Sequence, residues 1–380
     1  MEERTRIGFY YVWDNSWMGG VMYARNLLKA LNTLDDKDKP FIDVYCRNKE
    51  AFNELKSHTN YPYINPIIIN DRNVLRRLIR KFITLLFGEY VGDRVGMFRI
   101  RSYDDMIYPY GYGYKTKKLV SWKPDFQEKY LPNLFPQKVL RERERGIRSL
   151  ASRGIPIVFS SYDSEKDYRK FYPEYNNKTF VVHFAVDHEN LFEMNICNLK
   201  SEYKIEGEYI LCANQFWRHK NHSFLFKAYY NAYKRGFNKK LVCTGNMMED
   251  KDPDYIKSLK MFIKDKDLDD QIYLLGLIDD KKLYCLMRNA YAVVQPSLFE
   301  GWNTTVEDCK AFNKFIFLSN LSVHKEQIDT NVCFFDPHLE SDLADKLLSI
   351  KPIVEPYNYS YNLSRFGRDF LEVINYMKTK

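Results

Sequence analysis

YILCANQFWRHKNHSFLFKAYYNAYKRGFNKKLVCTG, residues 209–245, decides the fold of this chain. Residues 209–214 form a short β-rich run of the length of a buried strand. A polar turn leads into a helical pattern over 221–235, and 240–245 is β-rich again. A strand, a helix and a strand in so short a span predict a βαβ unit, because parallel neighbours need a crossover connection.

The alternation continues outward. Downstream come a helix over 254–264, a strand over 271–277, a helix over 280–289 and a strand over 291–296. A further helix then leads to strands over 315–319 and 332–336. Upstream, 187–207 is polar and reads as a linker. Before it lies an apolar strand at 6–13, joined through Met18-Gly19-Gly20 to a helix with Val21, Ala24, Leu27, Leu28, Leu31 and Leu34 on one face. Other strand candidates are 41–46, 63–69, 118–122, 155–160 and 179–186. After Pro352 and Pro356, a last helix carries Leu363, Phe366, Phe370, Ile374 and Met377 on one stripe. Alternation in both halves predicts an α/β chain of two doubly wound, Rossmann-like domains. Ligands of such sheets bind at the carboxyl ends of strands, and the chemistry is expected in a central cleft that the domains face.

The 380-residue length exceeds one hydrophobic core, which agrees with two domains. No apolar run approaches the ~20 residues of a membrane-spanning helix. MEERTRIGFYYVW has no basic-then-apolar leader pattern, so a cytoplasmic protein is expected. The seven cysteines are scattered and include no C-x-x-C pair, which points to buried reduced thiols and away from disulfides or zinc. The net charge of +8 suits an anionic ligand, an acidic membrane surface or nucleic acid without choosing among them.

A second stretch, SLFEGWNTTVEDCKAFNKF (residues 297–315), carries three acids around a strand-to-helix turn. Asn303 or Thr304 is the expected N-cap, and the helix N–H groups beyond it can hold an anion. Glu300, on the turn, has two readings: it caps the helix or accepts hydrogen bonds from ligand hydroxyls. Asn303, Glu307, Lys310 and Lys314 share one polar stripe, which reads as a solvent face. Asp308 shares its line with Thr304, Ala311 and Phe312 and is expected to face inward, where a carboxylate needs a protein cation or ligand hydroxyls.

PSLFEGWNTTVEDCKAFNKFIFLSNLSVHKEQ (residues 296–327) resembles the nucleotide-sugar signature of the retaining GT-B glycosyltransferases of family four, the group 1 glycosyltransferases. NQFWRHKNH (214–222) resembles that family's phosphate-contacting segment. VSWKPDFQEKYLPNLF (120–135), SSYDSEKDYRKFYP (160–173), FVVHFAVD (180–187) and WMGGVMYARNLLKAL (17–31) resemble segments of its N-terminal domain, the first of them as found in polysaccharide-building members. The resemblance implies an acceptor-binding domain at 1–187, a linker at 188–207, and a nucleotide-sugar-binding domain at 208–355. It also implies a helix at 356–380 packed back on the N-terminal domain.

The same resemblance assigns roles. Glu300 contacts the donor hexose, Asp308 takes the ribose position, and Lys220, helped by Arg218, holds the diphosphate. Gly301, Trp302, Asn303 and Thr304 line the donor, with Gly19 and Gly20 approaching it from the N-terminal domain. The implied activity is transfer of a hexose from a GDP- or UDP-linked donor to a glycan or lipid-linked acceptor, with retention and without metal or other cofactor. Three positions depart from the family pattern: Asp308 stands for Glu, Gln215 for Arg, and Glu128 for His. They support an alternative, a non-catalytic sugar-nucleotide or glycan-binding subunit.

The acidic runs EDKDPD (249–254) and DKDLDD (265–270) flank a surface helix and read as solvated charge, so no metal site is expected. NVLRRLIRKFITLLFG (73–88) interleaves Arg76, Arg77, Arg80 and Lys81 with apolar residues. It reads as a helix with a basic face that could dock on an anionic membrane surface from the cytoplasmic side. No aromatic-basic motif supports nucleic-acid binding.

Overall fold

The computed structural model describes residues 4–11, 18–68, 106–109, 118–188, 194–247, 249 and 251–380. The basic segment 73–88 lies outside the described residues. In chain order the elements are β1 (Arg6–Tyr10), α1 (Met18–Asn32), β2 (Phe41–Cys46), α2 (Lys49–Thr59), β3 (Ile64–Ile68), β4 (Met106–Tyr108) and β5 (Ser121–Lys123). Next are α3 (Gln127–Tyr130), α4 (Gln137–Ser152), β6 (Ile157–Phe159), α5 (Tyr162–Phe171), β7 (Thr179–Val181), α6 (Ile196–Glu202) and β8 (Tyr209–Ala213). Then come α7 (His222–Lys234), β9 (Lys240–Thr244), α8 (Pro253–Asp265), β10 (Ile272–Gly276), α9 (Asp280–Asn289), β11 (Ala292–Gln295) and α10 (Thr304–Ala311). The chain ends with β12 (Ile316–Ser319), α11 (Ser322–Gln327), β13 (Val332–Phe335), α12 (Glu340–Ser349) and α13 (Ser360–Lys378). Among the described residues no helix is long and apolar enough to cross a membrane.

The chain divides into two units, Met1–Asp187 with Ser360–Lys380, and His188–Tyr359. In the first unit β3-β2-β1-β4 and β5-β6-β7 are parallel sheets, joined by a bridge between Ile107 and Leu119. The strands pair directly with their sequence neighbours in register, as at Arg6↔Phe41 and Ile157↔Thr179. α13 lies on α1 and brings Phe366, Phe370, Val373, Ile374 and Met377 out of water. This crossing is close: a Cβ on Gly367 would meet the Ala30 carbonyl oxygen at 2.3 Å. A glycine in mid-helix costs stability, and here it is what lets two backbones touch.

The second unit is one six-stranded parallel sheet in the order β10-β9-β8-β11-β12-β13. The inner strands β9, β8, β11 and β12 are buried nearly throughout, as strands covered on both faces of a parallel sheet are, while the edge strands β10 and β13 are mostly half-buried. Ile210, Leu241 and Val294 face one core with α7, α8 and α12; Leu211, Val242 and Val293 face the other with α6, α9 and α10. The linker expected at 188–207 contains helix α6, which Asn195 caps by accepting from the Cys197 amide at 2.8 Å. All seven cysteines are free thiols, with Cys46, Cys212, Cys243, Cys285 and Cys309 buried, Cys333 half-buried and Cys197 exposed.

Candidate active site

Strand order 3-2-1-4-5-6 reverses direction between the first and fourth strands, here β8 and β11, and leaves a crevice at their carboxyl ends. The loops that leave these two strands hold the candidate residues. Their bases are locked together: Gln295 Nε2 donates to Asn214 Oδ1 at 2.9 Å, and Asn214 Nδ2 donates back to Gln295 Oε1. Thr305 Oγ1 donates to the Ala213 carbonyl at 3.1 Å, and the Leu298 amide donates to the His219 carbonyl at 2.8 Å. Gly245, at the end of β9, has φ +132°, and a Cβ there would lie 2.0 Å from the Asn214 carbonyl oxygen. Only glycine fits where these loops diverge.

Lys220 ends a short 3₁₀ turn, Arg218–Lys220, after which Asn221 takes a left-handed conformation with φ 63°. Asparagine tolerates that conformation, and its Nδ2 is used to donate to the Pro337 carbonyl at 3.0 Å. The turn points Lys220 Nζ at Glu300 Oε1, 2.6 Å away, with both side chains largely buried. Asn303 caps α10 through its Oδ1, accepting from the Thr305 amide at 2.9 Å, and its Nδ2 donates to the same Glu300 oxygen at 3.2 Å. Glu300 therefore accepts from the capping residue and does not itself cap the helix.

Burial alone would raise the Glu300 carboxyl, but Lys220, then His219 and His324, outweigh it and hold the group below the usual range. Burial drives both imidazoles down to about 4, so at neutral pH they are uncharged and Lys220 supplies the compensating charge. A cation and an anion at 2.6 Å, both at the switch point, form a pair that a ligand can part. Lys220 can offer its charge to an anionic ligand, and Glu300 can accept from ligand hydroxyls.

The two acids of α10 need one correction. Asp308 is buried as expected, and its partner is His188, whose Nε2 lies 2.8 Å from Asp308 Oδ1. Burial still raises the Asp308 carboxyl, with His188 opposing the shift. His188 is stacked on Phe312 at 4.5 Å. Glu307 is not on a solvent face. It is 1 % exposed, pairs with Lys310 Nζ at 2.9 Å, and accepts from Gln327 Nε2 at 3.0 Å and from Tyr359 at 2.6 Å. The polar stripe of Asn303, Glu307 and Lys310 is a buried polar seam, and Lys314 reaches the Arg288 carbonyl at 3.1 Å. Periodicity reports which residues share a face and not what covers that face.

Arg218 is apart from the Lys220–Glu300 pair. It is half exposed and forks onto Asp252 at 2.6 and 2.9 Å, so the acid that looked like solvated charge is both its partner and the N-cap of α8. Gly301 and Trp302 are buried in the turn before α10, and Thr304 opens the helix half-buried. Gly19 and Gly20 lie inside the first turn of α1, not in a loop before it, with Gly19 exposed. Gln215 accepts from Trp217 Nε1 at 2.8 Å. Glu128 is buried between Lys123 at 2.7 Å and Arg143 at 2.8 Å. His188, His324, Gln327 and Gly245 escaped the sequence reading. Only Gly245 carried a local signal, as a glycine closing a predicted strand.

Residues 199–353 match the family described as glycosyl transferases, group 1. The O-antigen chain mannosyltransferase RfbU of Salmonella typhimurium is 24% identical over 230 residues, and the match spans 60% of each chain. Solved structures with a similar fold include Anabaena Alr3699/HepE in complex with UDP and glucose, at a TM-score of 0.60 and 13% identity, covering 99% of this chain and 98% of that one. Sucrose-phosphate synthase from Thermosynechococcus elongatus gives 0.60 at 13% identity, over 99% and 97%. A glycosyltransferase from Rickettsia africae gives 0.56 at 14%, over 99% and 93%. Residues 199–353 thus match the group 1 glycosyl transferases, and the chain has a GT-B fold.

Proposed function

We propose that this chain transfers a hexose from a nucleotide-sugar donor to a glycan or lipid-linked acceptor, with retention of anomeric configuration and without a metal ion. The observation that carries the reading is the Lys220–Glu300 pair at the crevice between β8 and β11 of a group 1 glycosyltransferase domain. A GDP- or UDP-linked hexose is the donor in this reading; UDP and UDP-glucose in one series of similar structures, and the name of the Salmonella mannosyltransferase, support a nucleotide-linked sugar.

In this reading Lys220 holds the donor diphosphate and stabilises the charge that grows on it as the glycosidic C–O bond breaks. Glu300 accepts from hexose hydroxyls and fixes the sugar. The acceptor hydroxyl attacks C1 from the face the diphosphate leaves, and its proton passes to the departing phosphate oxygen. Asp308 contacts the ribose once His188 yields it, and Arg218 assists the diphosphate only by leaving Asp252. Gly301, Trp302, Asn303 and Thr304 shape the donor side. The expected setting is the cytoplasm, with the 73–88 segment as a peripheral contact to anionic lipid.

The experiment is nucleoside diphosphate release from UDP-glucose and GDP-mannose by wild type, Lys220→Ala and Glu300→Ala. Both variants should fold and lose turnover by at least about a hundredfold. Near-wild-type release by either one sinks the assignment. A second reading, a non-catalytic sugar-nucleotide-binding subunit, draws on the partners already held by Asp308 and Arg218. It predicts stabilisation by a nucleotide sugar with no release.

A further inference from the structure

His324 is fully buried on α11 and takes no part in the chemistry above. Its Nδ1 lies 2.8 Å from the Ser319 carbonyl oxygen, which can only accept, so Nδ1 carries the proton. The Ser319 hydroxyl is beside the same nitrogen at 3.2 Å. Nε2 is therefore a bare lone pair, and it faces Asn303 Nδ2 at 3.4 Å. Asn303 has no freedom left. Its Oδ1 is taken by the Thr305 amide, its backbone N–H and carbonyl are both held by the Gln327 side chain, and its two Nδ2 hydrogens go to Glu300 and His324. Turning the Asn303 amide over would set N–H against N–H at Thr305 and oxygen against oxygen at Glu300.

We propose that His324 is a positioning residue for the transfer reaction: its Nε2 lone pair holds the Asn303 amide in the orientation that donates to Glu300. The chain Ser319–His324–Asn303–Glu300–Lys220 then fixes the carboxylate that meets the hexose, from a side chain that never touches the ligand. This role rests on the nucleotide-sugar reading of Lys220 and Glu300. The uncharged imidazole is essential to it, since a second proton on Nε2 would oppose the Asn303 donor. Burial keeps His324 neutral above about pH 4; Glu300 favours the charged form and Lys220 opposes it.

The test combines release from UDP-glucose and GDP-mannose, UDP and GDP binding, and ¹⁵N NMR of the histidine side chains. His324→Phe should lower kcat by at least about tenfold. Nucleoside diphosphate binding should change by less than about twofold, because Lys220 keeps its place. His324→Gln, whose amide oxygen restores an acceptor toward Asn303, should recover most of the rate. The wild-type spectrum should show His324 protonated at Nδ1 at neutral pH. An unchanged kcat in His324→Phe overturns the proposal, as does an Nε2-protonated or doubly protonated ring. Equal losses of kcat and nucleotide binding in both variants also overturn it, because they describe a structural residue. If wild type itself releases no nucleotide from either donor, the transferase reading falls first and the role of His324 with it.

Discussion

Gly245 shows how much one residue decides at the edge of this site. Its φ of +132° lies where side chains strain the backbone, and its missing Cβ leaves room for the Asn214 carbonyl. Backbone strain and overpacking each cost about 1–3 kcal/mol, so Gly245→Ala is expected to lose about 2–6 kcal/mol of the second unit's stability. Urea unfolding measures this, and a loss under about 1 kcal/mol would show that the β8 and β9 loops can separate. Glu300 is decided in the opposite way, by what surrounds it. A buried carboxylate is unfavourable alone and is kept charged by one lysine at 2.6 Å. Arg218 has the same kind of partner in Asp252, but that pair is exposed and contributes little to stability.

At the scale of an element, α10 holds its charges inside. Glu307 and Lys310, three residues apart on one face, are both buried and satisfy each other, while Gln327 and Tyr359 take the remaining capacity of the carboxylate. Removing one member leaves the other as a buried charge with no counter-ion. Glu307→Ala should therefore cost about 3–5 kcal/mol, whereas Glu307→Leu combined with Lys310→Met should fall within about 1–2 kcal/mol of wild type. Chemical denaturation of the single and double variants checks it. A single-variant cost near that of the double would mean that water reaches Lys310. Gln327 also binds the backbone of Asn303, so the same seam that stabilises the helix supports the capping residue of the site.

For the whole molecule, the buried imidazole of His324 ties stability to pH. Its folded pKa of about 4 lies below the ordinary value of 6.5, so between these values the unfolded chain binds a proton that the folded chain refuses. Stability is then complete above about pH 6.5 and falls as the pH drops toward 4, by about 3 kcal/mol for this one ring. His219, also lowered to about 4, acts in the same direction. Glu300 adds a loss below the ordinary carboxylate value, and Asp308, whose carboxyl burial raises, opposes it. Thermal unfolding from pH 7 to 4.5 should show a falling midpoint, with a shallower fall in His324→Gln. An equal slope in that variant would place the effect elsewhere.

The sequence by itself determined the alternation of strands and helices, because buried parallel strands and the helices between them leave runs and periodicities that need no partner to be seen. The helix 280–289 and the strand 41–46 came out with the ends they have in the fold. Local spacing also put Glu300 on the turn after a strand and turned Asp308 inward, whereas Lys220 stood out only through the family resemblance. Only the tertiary structure decided which charges meet. Lys220 and Glu300 are eighty residues apart, His188 and Asp308 one hundred and twenty, and only the 3-2-1-4-5-6 strand order brings the first pair together. Glu307 and Lys310 read as a solvent face because a polar stripe looks the same whether water or Gln327 and Tyr359 cover it. Spacing sets the face of a helix, and the chain packed against that face sets what its charges do.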